Sequence, residues 1–169
     1  MHTPMNTISP AGRSASAFPS GVTIVASDRD IAILRDAAAP PEFGEVRLIA
    51  LPVDTPLADD VLSSARVLVI EVDPANPQSL HRIEAARETS PRLPIIAALR
   101  DATVPVVRSL VRQGLADVAQ LPFELGELAA QILDAAAGLA REEGKQTLAP
   151  MITVAGSTGG SGAPPAPTP

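Results

Sequence analysis

Arg66-Val67-Leu68-Val69-Ile70-Glu71-Val72, followed by the turn cluster Asp73-Pro74-Ala75-Asn76-Pro77, decides the fold of this chain. Five of the seven positions in the first segment are aliphatic, and no polar residue alternates with them. A short run of that kind is buried on both faces, which marks a strand inside a parallel sheet. The Asp-Pro and Asn-Pro steps then turn the chain. Ser79 to Thr89 follows, with Leu80, Ile83 and Ala86 at helical spacing. The whole stretch reads as one β–α unit.

The same unit recurs in both directions. Toward the N-terminus, Val22 to Ala26 is a buried-strand run, and Asp28-Arg29-Asp30 supplies caps for a helix through about Ala39, stopped by Pro40-Pro41. Val46 to Val53 predicts a second strand and Thr55 to Ser64 a short helix. On the other side, Leu93 to Leu99 is a fourth apolar run, and Thr103 caps a helix to Gln113 that Gly114 closes. Ala116 to Leu121 reads as the fifth strand. A last helix then runs to near Glu143 with the stripe Leu125, Leu128, Ala129, Ile132, Ala136, Leu139.

Such β–α alternation predicts an α/β fold, a doubly wound five-stranded parallel sheet in the flavodoxin-like order 2-1-3-4-5. In that arrangement chemistry sits outside the carboxyl ends of the strands. The residues to weigh are therefore Ala26, Ser27, Asp28, Glu71, Asp73, Leu99 and Leu121. Ordinary roles are available for the polar ones: a helix cap for Asp28 or Asp30, a turn for Asp73, and a water-facing strand end for Glu71. His81, beside Arg82 and Glu84, reads as a surface residue.

Composition narrows the function. At 169 residues the chain has room for one domain and tails: a disordered leader over 1–20, a folded domain over 21–145, and a linker with a Gly/Pro tail over 146–169. Thirteen basic residues against nineteen acidic ones give a net charge of −6, which disfavours binding to nucleic-acid phosphates. Zero cysteines exclude disulfides, thiolate catalysis and Cys-type zinc sites, and His2 and His81 are too far apart to suggest a metal site. No metal or cofactor is expected. No apolar run approaches the roughly 20 residues of a membrane span, and no secretory signal opens the chain. These features predict a soluble cytoplasmic protein without direct membrane insertion. Phe18, Phe43 and Phe123 are its only aromatics, so the core must be built from Ala, Val, Leu and Ile.

On VTIVASDRD, RVLVIEV with its Pro-containing turn, LPIIAALRD and GLADVAQLPFELGEL, residues 21–143 resemble the receiver domain of two-component response regulators. The last segment is the most specific, with Gly114, Pro122, Phe123 and Leu128 in matching places. The resemblance implies a CheY-like fold and locates what has changed. The acid pair that holds Mg²⁺ in receivers corresponds to Ala26 and Ser27, and the phosphoacceptor Asp to Glu71. The switch Thr or Ser corresponds to Leu99, and the phosphoryl-pairing Lys to Leu121. Mg²⁺ needs more than one hard oxygen ligand, and two leucines cannot read a phosphoryl charge. The resemblance therefore implies a pseudo-receiver with a degenerate phosphoacceptor pocket. Receivers also present helix four, strand five and helix five to partners, which marks Val106, Arg108, Arg112 and Glu127 as interface candidates.

Met151 to Ala155 reads as a further strand, and Gly156, Gly159, Gly160 and Gly162 follow it in a Gly-rich loop. A pseudo-receiver followed by this feature resembles the N-terminal portion of the TadZ/CpaE family of Flp (tight adherence) pilus assembly proteins. In that family a ParA/MinD-like ATPase domain comes next. Here the loop continues into Ala163-Pro164-Pro165 without a Lys, so the loop is a remnant, the ATPase domain is lacking and no enzyme activity is expected. The resemblance implies a protein interaction and localisation module in pilus assembly, without phosphorylation control. Its partners would be the pilus and secretion machinery and a second copy of itself. It would sit at the cell pole or the inner-membrane face through those partners. A stand-alone degenerate response regulator in signal transduction is the alternative.

Overall fold

The computed structural model describes residues 18–37, 45–147 and 167. Strands and helices alternate as β1 (Val22–Ala26), α1 (Asp28–Asp36), β2 (Val46–Ala50), α2 (Asp59–Ser64), β3 (Val67–Glu71), α3 (Pro77–Thr89), β4 (Ile95–Leu99), α4 (Val104–Arg112), β5 (Asp117–Gln120) and α5 (Leu125–Thr147). The strands form one sheet in the order β2-β1-β3-β4-β5, every pair parallel. That is the order expected from the sequence.

Every residue of β1, β3 and β4 is buried, as the unbroken apolar runs require. Two apolar layers cover the sheet. One joins Val22, Ile24, Val67, Val69, Ile96 and Ala98 to Ile31, Leu34, Leu128 and Ile132 of α1 and α5. The other joins Val25, Leu68, Ile70, Ala97 and Leu99 to residues of α2, α3 and α4, including Ile83, Ala86 and Leu110. Phe18, placed in the leader by the sequence reading, belongs to the first layer. The expected leader residues 1–17, the Pro40-Pro41 helix stop and the segment 151–162 lie outside the described residues.

Element ends differ where prolines act. β2 stops at Ala50 rather than Val53, and a turn in which Thr55 N–H donates to Pro52 O delays α2 to Asp59. α3 begins two residues early because Pro77 fits the first helical turn, with the Asn76 side chain accepting from Gln78 N–H at 3.0 Å. α5 continues past Glu143 to Thr147, held by Arg66–Glu143 and by Arg92 Nη1 donating to Gln146 at 2.8 Å. Gly114 closes α4 at φ +85, where a Cβ would meet the Arg87 guanidinium at 2.6 Å. Among the described residues, no helix is long and apolar enough to cross a membrane.

Candidate functional site

The sheet brings the carboxyl ends of β1, β3 and β4 side by side, because β1 and β4 flank β3. Glu71 ends β3, Ser27 follows β1 as the N-cap position of α1, and Arg100 follows β4. Glu71 is only 7% exposed. Its Oε2 accepts the Ser27 backbone N–H at 2.6 Å, and its Oε1 accepts from Arg100 Nη2 at 3.0 Å. Asp30, one turn into α1, is 1% exposed. It accepts the Ser27 hydroxyl at 2.6 Å and a short charge-assisted bond from the same Arg100 nitrogen. Ser27 Oγ lies 3.3 Å from that nitrogen too. The bond to Asp30 is the main cause that raises the Arg100 pKa above its ordinary value.

Several expectations are corrected by this geometry. Glu71 does not face water; it is buried against a backbone amide and a guanidinium. Neither Asp28 nor Asp30 caps α1. Ser27 holds the cap position, Asp28 is exposed, and Asp30 turns its carboxylate onto Ser27 and Arg100. Thr103 holds the N-cap position of α4 but makes no capping bond with its side chain. Asp73 does form its turn, with Oδ1 accepting from Ala75 N–H at 2.9 Å and its own N–H donating to Ser79 Oγ.

Ala26 and Leu121 are buried in the first apolar layer and Leu99 in the second, all at most 4% exposed. The degenerate pocket thus divides in two. Ser27 and Glu71 join one polar network, whereas Asp28 and Asp73 stay outside it. Glu71, Asp73, Arg100 and Asp101 border an open cleft of about 470 Å³ beside the start of α4. The residues missed by sequence reasoning are Asp30 as a buried acid and Arg100 as its cation. The signal for Arg100 was its position, directly after an apolar strand that neighbours β3.

A buried cation lies nearby. Arg82 of α3 is 4% exposed and donates from Nη1 to Pro52 O at 2.9 Å, while its Nε and Nη2 have no hydrogen-bond partner. Burial lowers its pKa, opposed by the charges of Glu71 and Asp54.

Of the interface candidates, Arg108, Arg112 and Glu127 are exposed, and Val106 is half-buried against the second apolar layer. Val104 and Val111 of α4, at 62% and 47% exposure, were not anticipated. His81 is exposed beside Glu84, as expected.

Three solved structures share this fold. A pilus assembly-related protein of Burkholderia pseudomallei aligns at 23% identity and TM-score 0.52, covering 69% of this chain and 90% of that one. The pilus assembly protein CpaE of Caulobacter crescentus aligns at 16% identity and TM-score 0.51, covering 66% and 91%. A response regulator receiver protein of Pseudoalteromonas atlantica aligns at 18% identity and TM-score 0.51, covering 69% and 97%. The fold is that of a receiver domain. No family model matches the chain, and no curated protein matches it either.

The divalent cation that receivers carry does not fit the residues of this receiver-like domain. Ala26 brings no oxygen ligand, and the Ser27 hydroxyl donates to Asp30. One oxygen of each buried carboxylate is already on Arg100, whose positive charge repels a metal ion.

Proposed function

We propose that this chain is a non-catalytic, receiver-like docking domain for pilus assembly whose surface is set without phosphorylation. The observation that carries the reading is the occupied acid centre around Glu71. Phosphoryl transfer to a carboxylate needs a free attacking oxygen and cations to neutralise the charge that develops. Both Glu71 oxygens are engaged, by Ser27 N–H and by Arg100. Leu99 and Leu121 are buried where a hydroxyl and an ammonium group would be needed.

The likeness to two pilus assembly proteins, among receivers, supports that setting for the module. Its docking face is α4 and the start of α5. Val104 and Val111 supply exposed apolar contact, and Arg108, Arg112 and Glu127 supply charge. Self-association through that face belongs to the same reading. So does residence in the cytoplasm, at the inner-membrane face or cell pole through bound partners.

The test is capture of partners by the full chain and by V104E/V111E. The wild type should retain components of the pilus secretion machinery, and the double variant should lose them while remaining folded. Retention of a sensor histidine kinase instead would overturn the reading in favour of signalling. A thermal scan with Mg²⁺ and beryllofluoride complements it. No shift is expected, because a ligand raises the melting temperature only by binding the folded state.

A further inference from the structure

We infer that Arg100 is a built-in cation that replaces the divalent metal of the receiver fold and pins the start of α4 to the buried acid pair. The inference rests on the receiver-like reading of the pocket and concerns the same site. Oxygens of three residues, Ser27, Asp30 and Glu71, converge on a single nitrogen, Arg100 Nη2. Convergence on one point is how a bound ion gathers its ligands; an ordinary surface ion pair joins two side chains. The acids are held in place. Glu71 is fixed by the Ser27 backbone amide, and Asp30 lies in the first turn of α1.

Burial separates this contact from a weak surface pair. The acid side chains are 1% and 9% exposed, whereas Arg100 is 47% exposed. Removing the guanidinium leaves two desolvated carboxylates uncompensated, which is the costly way to break a buried pair. Asp30 Oδ1 is also buried without a hydrogen-bond partner, so the acid centre keeps an unused oxygen turned away from water. The site is therefore self-liganded and indifferent to divalent ions while Arg100 is in place. Arg100 also stands four residues before Val104, the first residue of α4. Fixing its guanidinium fixes the loop from which α4 starts.

The experiment measures melting of the full chain by circular dichroism, with and without millimolar MgCl₂ or CaCl₂, for wild type, R100A and R100A/D30N. Wild type should be unaffected by either salt. R100A should melt lower and recover on adding a divalent ion, because a cation binding the emptied acid centre stabilises the folded state. R100A/D30N should not recover. A wild-type response as large as that of R100A would overturn the inference, and so would an R100A protein that melts like wild type.

If R100A fails to fold, R100K keeps the question open to decision, since the lysine ammonium ends one bond short of the position that Arg100 Nη2 occupies. Its amides over residues 101–112 should exchange faster by about tenfold or more, as a loosened local unit does. Unchanged exchange there would overturn the pinning role. Neither readout involves a partner, so failure of the docking assay and failure of this one are separate results.

Discussion

Replacing Leu121 by Lys shows why the pocket cannot be rebuilt one residue at a time. Leu121 is 4% exposed and packed in the first apolar layer, so an ammonium group there is buried among apolar side chains. L121K should lose roughly 2–4 kcal/mol in urea denaturation, and beryllofluoride should restore none of it. Arg82 calls for the opposite expectation. With one bond to Pro52 O and two nitrogens lacking partners, its buried charge adds little, so R82M should change stability by less than about 1 kcal/mol. At this scale the sequence showed about half of the site. Ser27 and Glu71 are legible as strand ends. Asp30 hid behind the common role of Asp as a helix cap, and Arg100 behind Leu99, the neighbouring position that the receiver resemblance singles out.

Among the elements, the strands were the most legible because burial on both faces writes itself as an unbroken apolar run. Helix starts were less so. Pro52 and Pro56 delay α2, and Pro77 opens α3 where the turn was expected to continue. Two helix ends give measurable consequences. N76A removes the bond to Gln78 N–H and should cost about 1 kcal/mol of unfolding free energy. G114A must place a Cβ at positive φ and against the Arg87 guanidinium, so it should cost at least about 1 kcal/mol in the same assay. On α4 only Leu110 is buried. Val104 and Val111 face outward, which periodicity alone cannot assign to core or partner.

For the whole molecule, charge chemistry is dominated by arginine: Lys145 is the one lysine, and there is no Tyr or Cys. Folding raises the Arg100 pKa, so its contribution is complete below the unfolded value and is lost only as pH climbs through the higher folded one. Arg82 runs the other way, since burial lowers its pKa and its cost eases only at the same alkaline extreme. Melting temperature should therefore stay level between about pH 8 and 10, a range where little else in the fold titrates. A decline there would point to a group other than these two arginines, since even an unperturbed arginine keeps its proton throughout that range. The doubly wound order was legible as soon as the β–α units were counted, because few parallel closures suit five strands. One further property of the architecture concerns handling. Pro19 and Ser20 line the same shallow cleft as Ala136, Leu139 and Ala140, at the amino ends of β1 and β3, away from the acid centre. Pro19 and Ser20 thus lie beside the final helix, at the opposite strand ends from Arg100. A circular permutant could be opened at the exposed Asp73–Ala75 turn without crossing the core.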